Sequence, residues 1–206
     1  MASSKGKHSD RDVEIIEKFS PYRGYFRVDR YLLRHRMHDG GWTTPLMREV
    51  FERGRTVAVL PYDPLADTVV LVEQFRIGAY AAGLEPWLTE VVAGTIEAGE
   101  EPEEVARREV LEEAGCRVTE LERIGAFLLS AGASSETTAM YCRRVDSRGV
   151  GGVHGLAHEG EDILVSVMPA EEAIARVANG DISNGYAVIP LQWLALNRAR
   201  LRSLWR

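Results

Sequence analysis

The stretch Gly94–Cys116, GTIEAGEEPEEVARREVLEEAGC, decides how this chain is read. It opens on a glycine-bearing loop and passes into a segment with the marks of a helix. Pro102 suits a first turn, where a missing N–H goes unneeded, and Glu101, Glu103 and Glu104 favour the positive end of the helix dipole. Gly115 is placed for a left-handed cap. At about 100° per residue, Ala106, Val110 and Ala114 form an apolar stripe that can pack on a sheet. Glu109, Glu112 and Glu113 share roughly a third of the circumference, and Glu100 precedes them in the loop. Like charges so spaced repel. Two readings meet that fact: a solvated acidic face, the usual fate of a charge run, or hard oxygen ligands for Mg²⁺ or Mn²⁺, where a divalent ion turns repulsion into coordination. Arg108 stands four residues from both Glu104 and Glu112, where pairing would orient the carboxylates.

Composition bounds what surrounds this stretch. A chain of 206 residues can bury one substantial core and carry a smaller appended unit. The formal net charge of −6 argues against a general nucleic-acid binder, which needs a basic surface. An acidic protein that takes an anionic ligand needs metal ions and a few placed arginines instead. The two cysteines, Cys116 and Cys142, are too few for a disulfide scaffold and suit a reducing cytoplasm. The opening MASSKGKHSDRD has no apolar segment of the signal-peptide kind, and no apolar run is long enough to span a membrane. The expectation is a soluble cytoplasmic protein with no membrane or nucleic-acid partner.

Three regions separate by pattern. Residues 1–12 read as a disordered arm. Residues 13–54 alternate apolar and charged positions in GYFRVDRYLLRHRM, turn at His38–Gly41 and resume at Leu46–Phe51, which predicts a small antiparallel sheet with one wet face. Residues 55–206 carry the main domain. There TVAVLPYD and TVVLVEQFRIGAY read as buried strands joined by a turn at Asp63–Asp67. Further strands are expected around Arg117–Leu129, Ala139–Val145 and Ile163–Met168, with an exposed segment at His154–Asp162. Helices are expected at Glu171–Asn179 and from Pro190 to Trp205. The class is α+β: a mixed sheet between helices, with a small N-terminal antiparallel β domain.

Spacing within the opening stretch is more specific than its composition. Gly94, five residues, Glu100, seven residues, then Arg108-Glu109-Val110-Leu111-Glu112-Glu113-Ala114-Gly115-Cys116 resembles the complete Nudix box, with Cys116 as a small apolar terminus. YRGYFRVDRYLLRHR, REVFERG, LPYDP, VVLVEQFRIGAY, EPWLTEVVAGTIEAGE, HGLAHEGEDI and AVIPLQWLAL extend that resemblance over about Tyr22 to Trp193, and narrow it to the bacterial ADP-ribose pyrophosphatases of the superfamily. It implies metal-dependent hydrolysis of ADP-ribose to AMP and ribose 5-phosphate. GDP-mannose or a UDP-sugar stands as the alternative substrate, and a non-cleaving ADP-ribose sensor is a further, weaker one. It also implies a homodimer joined through the N-terminal domain.

Carried over by position, the resemblance makes Glu109, Glu113 and the carbonyl of Ala93 metal ligands for Mg²⁺, with Mn²⁺ possible. Glu112 is a further ligand, direct or through water, and Glu161 reaches the metal from the loop HEGEDI. Glu159 is the general base, with Glu112 and Arg108 counted in the same catalytic set. Read without the resemblance, His158, Glu159, Glu161 and Asp162 fit an ordinary acidic surface turn. Arg76 is implied as a donor to the phosphates or terminal ribose, since its planar fork suits oxyanions. Tyr25 is implied to stack on adenine, Arg48 to approach the nucleotide from the partner subunit, and Glu136 to position substrate. Interface packing and a solvated arginine are the plain alternatives for Tyr25 and Arg48. One departure stands out: Ser130-Ala131-Gly132-Ala133 replaces the family's frequent Ser-Pro-Gly-Gly, and losing proline is expected to loosen that loop.

Overall fold

Alternation along one strand, Arg55–Asp63 (β4), organises the larger part of the molecule. Val57 and Val59 point to one side of the sheet, and Ala58, Leu60 and Tyr62 to the other; all five are fully buried. A strand buried on both faces has to be covered twice. The computed structural model describes residues 10–116, 119–156 and 160–205, and its helices supply both covers. Pro102–Ala114 (α2) brings Val105, Ala106, Val110 and Ala114 onto the first face. Ala170–Asn179 (α3) and Gly185–Leu204 (α4) bring Ala173, Ala187, Leu191 and Leu194 onto the second. The mixed sheet between helices is thus observed.

The sheet has eight strands: β4, Thr68–Phe75 (β5), Trp87–Glu90 (β6), Val92–Ile96 (β7), Leu121–Phe127 (β8), Thr137–Arg144 (β9), Gly152–His154 (β10) and Ile163–Pro169 (β11). Its main path runs β10-β11-β5-β4-β9-β8, and among the described residues only β4 and β9 of this sheet pair in parallel. The start of β4 pairs with β7, through Arg55–Val59, and its end with β5, through Tyr62 and Asp63. The chain crosses this splay at Glu90–Val92, passing from β6 on β5 to β7 on β4. The candidate site lies at that splay.

Two compact units are distinguished: one is the chain up to Gly54 together with Ser130–Glu136, the other is Arg55–Leu129 with Thr137–Arg206. The first is an antiparallel sheet of Val13–Arg23 (β1), Arg27–His35 (β2) and Leu46–Glu52 (β3), in that order. An unbroken second domain over 55–206 is therefore not what is found. Ser130–Glu136 leaves it because Phe51 N–H donates to the Ala133 carbonyl at 2.7 Å and Ser135 N–H to the Phe51 carbonyl at 3.1 Å. The same loop is tightened by Ala133 and Ser134 N–H groups on the Ser130 carbonyl, at 3.1 and 2.9 Å. These hydrogen bonds constrain the loop where the proline is missing.

Other expectations are corrected locally. The strand after Thr68 stops at Phe75, and Ile77–Ala81 is a short helix, α1, that ends on αR Ala82. The last helix starts at Gly185, not Pro190, because Asn184 caps it by accepting from Tyr186 N–H at 2.9 Å. Pro190 is carried inside it. Strands β6, β7 and β10 carry no alternation long enough to be read from sequence, and the expected exposed segment begins inside β10 at His154. Of the arm expected over 1–12, residues 1–9 lie outside the described residues, and Asp10–Asp12 is a 3-10 turn. Among the described residues no helix is long and apolar enough to cross a membrane.

Candidate metal and substrate site

Helix α2 begins and ends as its sequence dictates: Pro102 lies in the first turn, and Gly115 closes it in the left-handed region at φ 62°. Its apolar stripe is anchored on the sheet, so one flank of the glutamate set is pressed against β7. Gly94 makes that approach possible. A Cβ there would stand 2.1 Å from the Glu109 carboxyl carbon. Glu109 is half-buried and Glu113 is buried, at 5 % exposure.

Glu113 Oε2 accepts the Ala93 N–H at 3.2 Å. That bond also orients the Ala93 carbonyl. Ala93 lies opposite Ala58 in an antiparallel ladder, where a residue either exchanges both of its bonds with its opposite or neither. Its N–H is turned to Glu113, so its carbonyl is also off the ladder, on the edge that faces α2.

Burial and mutual repulsion set the charge of this pair. Burial first, then Glu112 and Glu161 against the pull of Arg108, pushes Glu109 up to about 7. Burial first, then Glu109 and Glu161 against the Ala93 bond and Arg76, pushes Glu113 up to about 8. A buried and a half-buried carboxylate whose proton affinities are raised, beside an outward carbonyl, make a hard-oxygen donor set suited to a cation. The residues fit a divalent ion.

The remaining expected ligands are placed differently. Glu112 is exposed on the outer side of α2 and joins Glu109 only through its field. The Glu161 carboxylate folds back on its own loop, accepting the Leu156 N–H at 2.9 Å. Among the described residues no three His, Cys, Asp or Glu side chains are gathered closely enough to hold an ion. Of the expected set, Glu113 and Ala93 are joined by a hydrogen bond and Glu109 lies near Glu113. Glu159 lies outside the described residues.

Arg108 corrects an expectation. It pairs with Glu100 at 2.9 Å and Glu109 at 3.1 Å, not with Glu104 or Glu112. Glu100 explains the choice: its other oxygen accepts the Glu97 N–H at 2.8 Å, closing the loop before the helix and setting the carboxylate where the Arg108 guanidinium reaches it. The loop glutamate thus works through Arg108 to steady Glu109.

Arg76 stands just past the end of β5. Glu90, buried at the splay, takes its Nε at 2.9 Å and its Nη2 at 2.6 Å on one oxygen. The sequence reading missed Glu90; the available signal was a lone acid ahead of the apolar run Val91-Val92.

Three expected substrate residues belong to the smaller unit. Tyr25 occupies the β1–β2 turn at 95 % exposure, edge-on to Phe26 with ring centroids 4.7 Å apart. Arg48 is exposed on β3 and donates to the Met47 carbonyl at 2.9 Å. Glu136 pairs with Arg53 at 3.2 Å, and Arg53 also lies over the Phe26 ring at 4.6 Å. Arg53 was not foreseen, because its partner is 83 residues away in sequence.

A NUDIX domain family model matches residues 52–187. An ADP-ribose pyrophosphatase of Escherichia coli K12 is 47% identical over 194 residues, covering 94% of this chain and 93% of that one. A GDP-mannose pyrophosphatase of Pectobacterium atrosepticum is 32% identical over 185 residues, covering 87% of this chain and 92% of that one. A crystal structure of an ADP compounds hydrolase superposes at a TM-score of 0.67, with 18% identity, over 91% of this chain and 97% of that chain. That last likeness speaks for the fold alone.

Proposed function

Because this chain belongs to the NUDIX domain family, we propose that it hydrolyses the pyrophosphate of ADP-ribose to AMP and ribose 5-phosphate. The observation that carries the substrate is the graded similarity: 47% identity with an ADP-ribose pyrophosphatase against 32% with a GDP-mannose pyrophosphatase, each over most of the chain. The half-buried Glu109 and buried Glu113 beside Ala93 support the chemistry.

Mg²⁺, with Mn²⁺ as the alternative, would be held by Glu109, Glu113 and the Ala93 carbonyl, with Glu112 and Glu161 at its margin, and would supply charge neutralisation on the pyrophosphate and activation of water. The rest falls to side chains. Arg108, steadied by Glu100, keeps Glu109 in place. Arg76 donates to the substrate's phosphate or ribose oxygens. Glu159 is assigned, as the family resemblance implies, as the base that takes the proton from the attacking water. Tyr25 is assigned as an aromatic face for adenine, and Arg48 and Glu136 as polar contacts to the nucleotide and sugar.

Two copies form the proposed assembly. Strand β1 is an edge strand eleven residues long, and it leaves Val13, Ile15, Ile16, Phe19 and Tyr22 exposed. Such an edge invites pairing with a second chain. A reducing cytoplasm suits Cys116 and Cys142, both buried and neither in a disulfide.

The test is a comparison of kcat/KM for ADP-ribose, GDP-mannose and UDP-glucose with Mg²⁺. A preference of at least about tenfold for ADP-ribose, equal to about 1.4 kcal/mol, is expected. A preference for either rival would move the substrate assignment and leave the chemistry.

A further inference from the structure

Glu90 has no place in the box, in the loops or in the substrate contacts assigned above, yet it is among the most deeply buried charged groups of the described residues, at 1 % exposure. A carboxylate taken out of water is costly unless it is fully bonded. Its partners come from three directions. Arg76 donates Nε and Nη2 to Oε2, at 2.9 and 2.6 Å. Gln74, two residues before Arg76, approaches the same oxygen at 3.5 Å. Asn184 donates its amide to Oε1 while its own oxygen caps α4.

The consequence falls on Arg76. A free arginine side chain is rotamer-rich, and much of its binding contribution is lost in being ordered. Here one edge of the guanidinium is clamped on a buried acceptor that is itself bonded from β5 by Gln74 and from the N-cap of α4 by Asn184. The clamp uses Nε and Nη2 and the side chain remains 41 % exposed, which leaves Nη1 for a ligand. Glu90 also offsets the arginine's charge locally, which makes Arg76 a directed donor more than a diffuse attractor of anions. Glu90 ends β6 and Ala93, bonded to Glu113, lies just beyond it in β7, so the donor and the Glu109–Glu113 pair share one neighbourhood.

We propose that Glu90 is a positioning residue that fixes the Arg76 guanidinium at the splay of β4 and β5, so that its open edge receives an oxyanion of the substrate. The inference rests on the proposed reading of the site as one for a nucleoside diphosphate sugar. It adds a residue that acts through another and touches no reacting atom.

The experiment is a double-mutant cycle read as the equilibrium Kd for ADP-ribose, in chelator so that nothing is turned over. Glu90→Gln removes the charge with little change of shape and is expected to weaken binding about tenfold, as for loss of a charge-assisted pair. In an Arg76→Ala background the same change is expected to have no effect on Kd. An unchanged Kd for Glu90→Gln, an equal loss in the Arg76→Ala background, or a wild-type protein that binds no ADP-ribose in chelator overturns the proposal. Should Glu90→Gln not fold, Arg76→Lys asks the same question, since lysine can still pair with Glu90 but offers no fork; wild-type Kd there overturns it too. Failure of the functional reading is separate: a wild-type protein that binds ADP-ribose but does not cleave it with Mg²⁺ refutes the reaction and leaves Glu90's role standing.

Discussion

A methyl group on Gly94 would lie 2.1 Å from the carboxyl carbon of Glu109. The first glycine of the box and its first helical glutamate are therefore one packing unit: Glu109 can lie over β7 only because β7 has no side chain there. Gly94→Ala should push the carboxylate off the strand. The expected result is a folded protein whose half-saturating Mg²⁺ concentration rises about 10–100-fold, the usual range when a ligand's support is removed. An unchanged Mg²⁺ dependence would separate Glu109 from the metal.

Glu113 and Glu109 should reveal themselves in the stability of the metal-free protein. Their folded values, about 8 and about 7, exceed the ordinary carboxylate value of about 4.3 that the unfolded chain shows. The folded state thus binds more protons. Its stability is greatest below that ordinary value and is lost as pH rises through 7 and 8, by about 1.4 kcal/mol per pH unit for each proton held only in the folded state. Denaturant melts in chelator should show that decline between pH 5 and 8, Glu113→Gln should flatten it, and Mg²⁺ should offset it at the alkaline end. A flat profile for the wild type would contradict the burial argument.

At the opposite end of β4 the sign reverses. Asp67 adopts φ 60°, and its carboxylate takes Arg198 Nε at 2.8 Å, the Tyr62 hydroxyl at 2.7 Å and Arg202 Nη1 at 3.1 Å. The Arg198 bonds above all hold it below the usual carboxylate range. This stability is present above the unfolded value, about 3.9, and is lost as pH falls through the lower folded one. Asp67→Asn tolerates the same left-handed backbone, so it isolates the charge. It should cost about 1–3 kcal/mol at pH 7 and leave less to lose on acidification. A neutral effect at pH 7 would show the cluster to be surface decoration.

Much of this was written in the sequence, and the parts that were not share a physical cause. The α2 stripe of Ala106, Val110 and Ala114, the left-handed Gly115 and the twice-covered β4 follow from local periodicity and capping, which one stretch of chain can encode. The Arg76–Glu90 clamp, the Arg53–Glu136 pair and the stitching of Ser130–Glu136 to Phe51 depend on contacts between distant segments, and no spacing rule announces them. Arg108 was misassigned for a related reason. Helical spacing offers it Glu104 and Glu112, but a loop glutamate already held by a backbone N–H is the better-ordered partner. Strands β6 and β7 escaped because four or five residues at a splay carry too little alternation to distinguish from loop.

Strand β1 gives the assembly its test. Replacing Ile15 and Phe19 together by Asp places two charges on the exposed edge strand. Wild-type protein at micromolar concentration should have the mass of two chains by light scattering, and the double variant the mass of one. A variant that stays paired, or a wild type that is single, would remove β1 from the interface.

The most direct test of the central claim is product identification by ³¹P NMR after incubation with ADP-ribose, for wild type and Glu113→Gln, with Mg²⁺ and with chelator. The account predicts AMP and ribose 5-phosphate from wild type with Mg²⁺, no product in chelator, and turnover at least about a hundredfold lower in Glu113→Gln, as loss of a transition-state charge contact would give. Intact ADP-ribose in every wild-type sample, or full turnover by Glu113→Gln, would contradict it.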